Sequence, residues 1–292
     1  MKDKITIAID AMGGDNAPNK TIEGLGLFLS KNKKVNDFQF KLYGDELKIK
    51  EALKRYKISD SRIEIHNTLS VVSDKETPLT AIKNSKNSSM WKSINSQIED
   101  NSHISLSAGN TGVLFVISKM LLKTIEGVSK PALAGVWPSK KGMSVVLDLG
   151  ANIECNEKNL IDFSIMGAAL HKSLFPNEAS KVALLNIGSE EIKGNAVIKN
   201  TYQQLSKINS SLYEFKGYVE GNNIMSGDVN VIIADGFTGN IALKTAEGTA
   251  NFITSELRKA LTGNIIGKIS SLLNIKNINS FKKKLDPRLY NG

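Results

Sequence analysis

The sequence predicts an α/β protein: a largely parallel sheet covered by helices on both faces. Three observations carry that prediction. Short runs rich in Val, Ile and Leu alternate with segments whose apolar residues recur at three-to-four spacing. Strand-then-helix alternation is what crossover connections assemble into parallel sheets. The loops that follow the strand runs repeatedly combine Gly with Asp, Asn, Ser or Thr, as ligand-binding loops at strand carboxyl ends do.

The elements follow in chain order. A β-branched run, KITIAI, reads as a strand over 4–10 and opens into DAMGGDNAP at 10–18. Gly13 and Gly14 lack a Cβ and can bring backbone N–H groups close to an anion, while Pro18 suits the first turn of a helix over 18–31. Asp10 and Asp15 can serve such a site or can simply bond loop amides; both readings stay open. Strands at 38–43 and 62–66 flank a helix over 45–56, and a helix over 88–99 precedes a strand at 103–107. That strand gives way to Gly109, Asn110, Thr111 and Gly112 and then to a helix over 111–124, a second anion-receptive turn. Strands at 131–137 and 143–148 lead to Gly150, Ala151 and Asn152 and a helix over 159–174. After a strand at 181–187 come Gly188 and SEEIKGN, which puts Lys193 at the start of a helix over 193–207. A last strand at 229–234 opens into Asp235, Gly236, Phe237, Thr238, Gly239 and Asn240 before the helix IALKTAEG. If one parallel sheet holds these strands, five such junctions line one edge and make a polar cleft.

Common templates fail. No strand is followed by GxGxxG with an acid about 20 residues on, GNIIGK at 263–268 lacks the P-loop spacing, and no GxSxG is present. His66, His103 and His171 lie outside the five loops, so a Ser/His acyl-enzyme is not expected. Cys155 reads as an inert small residue rather than a nucleophile, and no pattern calls for a metal or cofactor. A nucleophile that arrives as a substrate fits such a site.

Composition bounds the setting. A chain of 292 residues can bury roughly 75% of its unfolded surface, as one large domain or two smaller ones; without a linker or repeat, a single domain over 1–292 is expected. One Cys excludes an intrachain disulfide and fits a reducing cytosol. The apolar start is too short for a signal peptide, and Val113 to Leu122 is interrupted by Lys119, so a cytoplasmic protein, at most peripheral to a membrane, is expected. A formal charge of +9 favours acidic partners. The densest basic runs, Lys31 to Lys34 and Lys282 to Lys284, have no interleaved aromatics, so nucleic acid is not expected. Residues 251–285 mix lysine with Leu and Ile and are broken at Gly263 and Gly267 into amphipathic pieces, which can pack a dimer or dock on an anionic membrane surface.

Taken together, DAMGGDNAP, SSM at 88–90, SAGNTG at 107–112, DLGAN at 148–152, NIGSEEIKGN at 186–195 and DGFTGNIALKTAEG at 235–248 resemble the bacterial phosphate acyltransferase (PlsX) family, in family order and from end to end. The resemblance implies a three-layer αβα sandwich similar to phosphotransacetylases and isopropylmalate-type dehydrogenases, usually a homodimer. It implies transfer of a long acyl chain from acyl-carrier protein to inorganic phosphate, the acyl phosphate passing to a membrane glycerol-3-phosphate acyltransferase. A short-chain phosphotransacetylase-like enzyme on acyl-CoA and a non-catalytic carrier-binding or membrane-binding relative are the alternatives. Two departures stand out: Lys83 and Ser85 replace the family's usual Arg and Lys ahead of Lys86, and the chain stops after LDPRLYNG, so the family's C-terminal tail is expected to be missing.

The chemistry then asks for donors rather than a nucleophilic side chain, because phosphate near neutral pH is already anionic and nucleophilic. Lys193 is the expected charge facing the transition state, Asn110 an oxyanion donor, and Asp235 either an orienting group or a helix cap. Phosphate and substrate contacts are expected from Asp10, Gly13, Gly14, Asp15, Ser88, Ser107, Gly109, Thr111, Gly112, Asn152, Gly188, Thr238, Gly239 and Asn240. A plain surface lysine remains the alternative for Lys193.

Overall fold

A computed structural model describes residues 4–32, 37–73, 76–99 and 101–285. Lys33 and Lys34 of the first basic run, the Lys284 side chain, and most of the closing LDPRLYNG lie outside the described residues. Contacts group the chain into two compact units, residues 1–125 and 126–292. Each is an α/β layer structure with its own sheet, so the strands predicted for one sheet are carried by two.

In unit 1 the elements run β1 (Ile5–Asp10), α1 (Asn19–Lys31), β2 (Phe38–Gly44), α2 (Glu46–Arg55), β3 (Ile63–Asn67), α3 (Pro78–Asn84), α4 (Ser89–Ile98), β4 (Ile104–Ser107) and α5 (Thr111–Leu122). The sheet order is β3-β2-β1-β4, and every pairing is parallel. Successive strand residues point to opposite faces, so Ile9, Phe40 and Leu42 pack with Ile22, Leu25 and Leu29 of α1 and Ile49 and Ala52 of α2. A separate cluster, Met90 and Ile94 of α4 with Val113 and Ile117 of α5, builds the other layer. Burying a Leu or Ile fully contributes about 1.5–3 kcal/mol relative to exposure, which is what a run of such positions in each layer supplies.

Unit 2 runs β5 (Ala134–Ser139), β6 (Gly142–Leu147), α6 (Glu157–Leu174), β7 (Lys181–Asn186), α7 (Ala196–Leu205), β8 (Glu214–Glu220), a 3-10 turn at Gly221–Asn223, β9 (Val231–Ile233), α8 (Gly236–Thr262), α9 (Ile265–Leu273) and α10 (Ile275–Leu285). Its order is β5-β6-β9-β7-β8; only β5 is antiparallel, joined to β6 as a hairpin. Val145, Leu147, Val182, Leu184, Val231 and Ile233 face α6 and α7. Their neighbours Val146, Ala183, Leu185 and Ile232 face the opposite way, toward Ala242, Leu243 and Ala246 of α8. Each unit is therefore three layers, helix on sheet on helix.

Three expectations need correction. Two elements are new: α3, a seven-residue helix too short to show a period, and the edge strand β8. In β8 the pairing slips between Val182↔Phe215 and Leu184↔Tyr218, with Gly217 at φ +84°, so the inserted residue breaks the alternation that would reveal a strand. Lys193 does not begin a helix, because Asn195 caps α7 by accepting from Ile198 N–H and Lys193 stays in the loop before it. The C-terminal pieces break at Gly263–Asn264 and at Asn274, whereas Gly267 lies inside α9. Among the described residues no helix is long and apolar enough to cross a membrane.

Candidate active site

In unit 1, parallel pairing of β1 with β4 brings DAMGG and SAGNTG to the same sheet edge, with Asp10 beside Ser107. Asp10 is buried, and its carboxylate is shared between the two loops. Oδ2 accepts from the Ser107 hydroxyl at 2.7 Å, Oδ1 accepts from Met12 N–H at 3.2 Å, and Ser107 Oγ in turn accepts from Gly109 N–H at 3.1 Å. Burial pushes the Asp10 carboxyl above the usual carboxylate range; the Ser89 and Ser107 hydroxyls and the amides of Met12 and Gly13 offset part of that rise.

The glycines here are required by close approach. A Cβ on Gly13 would lie 2.6 Å from Asp10 Oδ2 and 2.8 Å from Gly109 N, and Gly14, at φ +86°, would place one 2.5 Å from Ala108 O. No larger residue lets the β1 and β4 loops meet in this way. Beside them α5 begins: Asn110 caps it, accepting from Val113 N–H at 3.1 Å, and its Nδ2 donates to Glu76 O at 3.1 Å. The first-turn N–H groups of Thr111 and Gly112 have no partner within the helix, and both residues are exposed, which leaves an anion-receptive terminus. Asp15 is exposed on its loop. Ser88 is fully buried and caps α4 by accepting from Trp91 N–H at 3.1 Å.

In unit 2 the parallel order β6-β9-β7 brings DLGAN, DGFTGN and NIGSEEIKGN to one edge. Asp148, fully buried just past β6, was missed as a site residue by reading the sequence, although it heads a quoted motif. Its Oδ1 accepts from the N–H groups of Leu133, Gly150 and Ala151 at 3.0–3.2 Å, and its Oδ2 accepts from Asn152 N–H and Nδ2, both at 2.8 Å. Asn152 Nδ2 also donates to Pro131 O at 2.7 Å. Both amide hydrogens of Asn152 are thereby engaged inside the protein.

Asp235 caps α8, with Oδ1 accepting from Thr238 N–H and Oδ2 from the Thr238 hydroxyl, each at 2.8 Å. That is the capping geometry left open above. Gly236 N–H donates to Asn152 O at 2.8 Å, and Gly239 sits so close to the end of β6 that a Cβ would fall 1.9 Å from Asp148 O. Asn240 is exposed one residue on, its side chain in ordinary contact range of the Gly150 Cβ position at 3.5 Å.

The β7 loop is tied by Asn186, a second residue the sequence did not single out. Its Nδ2 donates to Gly188 O at 3.1 Å and Lys193 O at 3.2 Å, closing the loop at both ends. Lys193 is exposed, and its stem passes over Gly188, whose absent Cβ would sit 3.0 Å from Lys193 Cγ. Cys155 lies half-buried with its Sγ directed at Asn152 O, 3.7 Å away; burial and then the nearby Asp148 raise its thiol pKa, which disfavours the thiolate a nucleophile needs. Among the described residues no group of three or more His, Cys, Asp or Glu is placed to hold a metal.

Two sheets whose strand ends carry polar, glycine-rich loops suit many ligands, and comparison with known proteins decides among families. The family model described as fatty acid synthesis protein matches residues 5–292. A phosphate acyltransferase from Pelagibacter ubique (strain HTCC1062) is 62% identical over 288 residues, covering 99% of this chain and 85% of that protein. The chain belongs to the phosphate acyltransferase family. A second phosphate acyltransferase, from Maricaulis maris (strain MCS10), is 40% identical over 98% of this chain and 82% of its own length. Two solved structures share the fold: a phosphotransacetylase from Streptococcus pyogenes (TM-score 0.61, 12% identity, 84% of this chain and 82% of that one) and the EutD phosphotransacetylase from Staphylococcus aureus (TM-score 0.59, 15% identity, 85% and 83%). As a family member the protein is an acyltransferase, and the αβα expectation holds.

Proposed function

We propose that this phosphate acyltransferase transfers a long-chain fatty acyl group from acyl-carrier protein to inorganic phosphate, giving acyl phosphate for phospholipid synthesis. The observation that carries the reading is the first turn of α5 beside the meeting of the Gly13–Gly14 and Gly109 loops, a place with anion donors and, among the described residues, no activated nucleophile. Phosphate is held by the amides of that turn, Thr111 and Gly112, with Gly14 beside them, while Asp10, Ser107 and Gly109 hold the loops in register. Asn110 acts by capping the same turn. In unit 2, Lys193 and Asn240 stay exposed, one in the loop after β7 and the other near the start of α8, and are open to an anionic group. Phosphate oxygen attacks the thioester carbonyl. The carbon–sulfur bond breaks as the carbon–oxygen bond forms, and the carrier leaves as its thiol.

A net charge of +9 fits an acidic carrier protein. The exposed Ile265, Ile266, Leu272 and Leu273 of α9, beside the lysines of α10, fit the homodimer or anionic-membrane contact proposed for this segment. A cytoplasmic setting, with delivery to a membrane glycerol-3-phosphate acyltransferase, completes the proposal. The test is direct. Protein, long-chain acyl-carrier protein and phosphate should release carrier thiol in proportion to acyl phosphate. Preference for short acyl-CoA, or carrier binding without turnover, would refute it.

A further inference from the structure

We propose that Asp148 is a positioning residue of the unit 2 loops, acting on the first turn of α8 through Asn152. The inference rests on the preceding reading in one respect, the task given to Asn240. Asp148 is fully buried and cannot itself meet a substrate, yet it binds more of the loop than any residue there. Its five accepted hydrogen bonds fix Leu133, Gly150, Ala151 and Asn152 around one carboxylate. From this cluster two links reach α8. Asn152, held by Asp148 Oδ2 at both its amides, offers its carbonyl to Gly236 N–H at 2.8 Å, the first residue of the helix. The Asp148 carbonyl occupies the space a Cβ on Gly239 would need, so the helix start rests directly on the Asp148 backbone. Asn240 follows Gly239 and lies against Gly150, another residue the carboxylate holds. A carboxylate is required because both of its oxygens face only donors.

Asp148→Asn tests this with almost no change of shape. Oδ1 can still accept from Leu133, Gly150 and Ala151, but the new NH2 confronts two donors, Asn152 N–H and Nδ2. In the phosphate-dependent thiol-release assay, with folding verified by circular dichroism, the variant should lose at least about tenfold in kcat. Asn240→Ala should also lose activity, and the double variant should be no slower than Asn240→Ala within about twofold, because both changes act through the same turn. Multiplying losses in the double variant, or wild-type kinetics in folded Asp148→Asn, would overturn the proposal. If Asp148→Asn does not fold, Asn152→Ser carries the same cycle: it removes the side-chain link and keeps the backbone one, and its loss should likewise vanish in the Asn240→Ala background. Wild-type protein that releases no thiol on addition of phosphate would instead refute the proposed reaction, a result independent of any Asp148 variant.

Discussion

Two glycines on one helix should respond in opposite directions to the same substitution. Gly239 and Gly248 both lie in α8, and alanine is the better helix former by about 1 kcal/mol at an open position. Gly248 has nothing within 4 Å of its Cβ position, so Gly248→Ala should stabilise by about 0.4–1 kcal/mol. At Gly239 the added Cβ would sit 1.9 Å from Asp148 O, where contacts under 3.0 Å are essentially never found, so helix and strand end must part by about 1.1 Å. The obstacle is backbone and cannot rotate away. Overpacking of this kind costs about 1–3 kcal/mol, and losing the Gly236–Asn152 bond adds about 1. Gly239→Ala should therefore destabilise by about 2–4 kcal/mol, a fall of roughly 5–12 °C in Tm. Urea denaturation followed by circular dichroism, with all three proteins in one buffer, measures the difference. Stability of Gly239→Ala within about 0.5 kcal/mol of Gly248→Ala would refute the close approach, and with it the placement of the α8 turn against β6.

Other outcomes follow from the same geometry. Lys193→Ala, at an exposed loop position, should leave the denaturation midpoint unchanged and lower kcat for phosphate-dependent transfer by about 10²–10³; undiminished turnover would make it a plain surface lysine. Asn110→Ala removes the α5 cap and should cost about 1 kcal/mol in urea denaturation along with weaker phosphate saturation. Asp10 has a folded pKa above the usual 3.8, so the native state holds its proton longer than the unfolded chain, and stability falls as pH rises from about 4 through the raised pKa. Asp10→Asn should escape that loss, gaining on wild type as urea midpoints are taken from pH 4 to 8; a difference that stays flat with pH would refute the buried-carboxyl account.

What could be read from the sequence was what depends on local pattern. The period-2 and period-3.6 runs located β1, β2, β7, α1, α2 and α6 to within a few residues, because each buries one face or both and the pattern records it. β8 escaped because Gly217 inserts a bulge into its alternation, and α3 because seven residues are too few for a helical period. The division into two sheets was not legible, since strand pairing is a long-range choice that β-branched runs do not encode. For the site, glycines marked the loops, but local pattern carries no record of which groups the polar side chains bond to. Both Asn152 and Ser88 are buried; the Asn152 amide donates to Pro131 O and Asp148, and the Ser88 hydroxyl accepts from Trp91 N–H. Asp148 and Asn186 received no role from the sequence, yet each holds its loop through several hydrogen bonds.

That inward turn changes what the glycine-rich loops can be for. Aspartates stand at or just past the ends of β1, β6 and β9, and each spends its oxygens on groups of its own loops: Asp10 on Ser107 and Met12, Asp148 on Gly150, Ala151 and Asn152, Asp235 on Thr238. An amide already given to a carboxylate is not available to a phosphate, and a carboxylate at the same place would repel one. Gly236 and Gly239 at the start of α8 therefore serve close packing, against the backbone of Asn152 and Asp148. Of the residues proposed for anion contact in unit 2, Lys193 and Asn240 keep exposed side chains. In unit 1 the first turn of α5 keeps the N–H groups of Thr111 and Gly112, because Asn110 caps the helix one position further in, at Val113. A neutral amide caps this terminus, where unit 2 uses aspartate on α8, so the cap itself adds no negative charge at the positive end of the helix dipole.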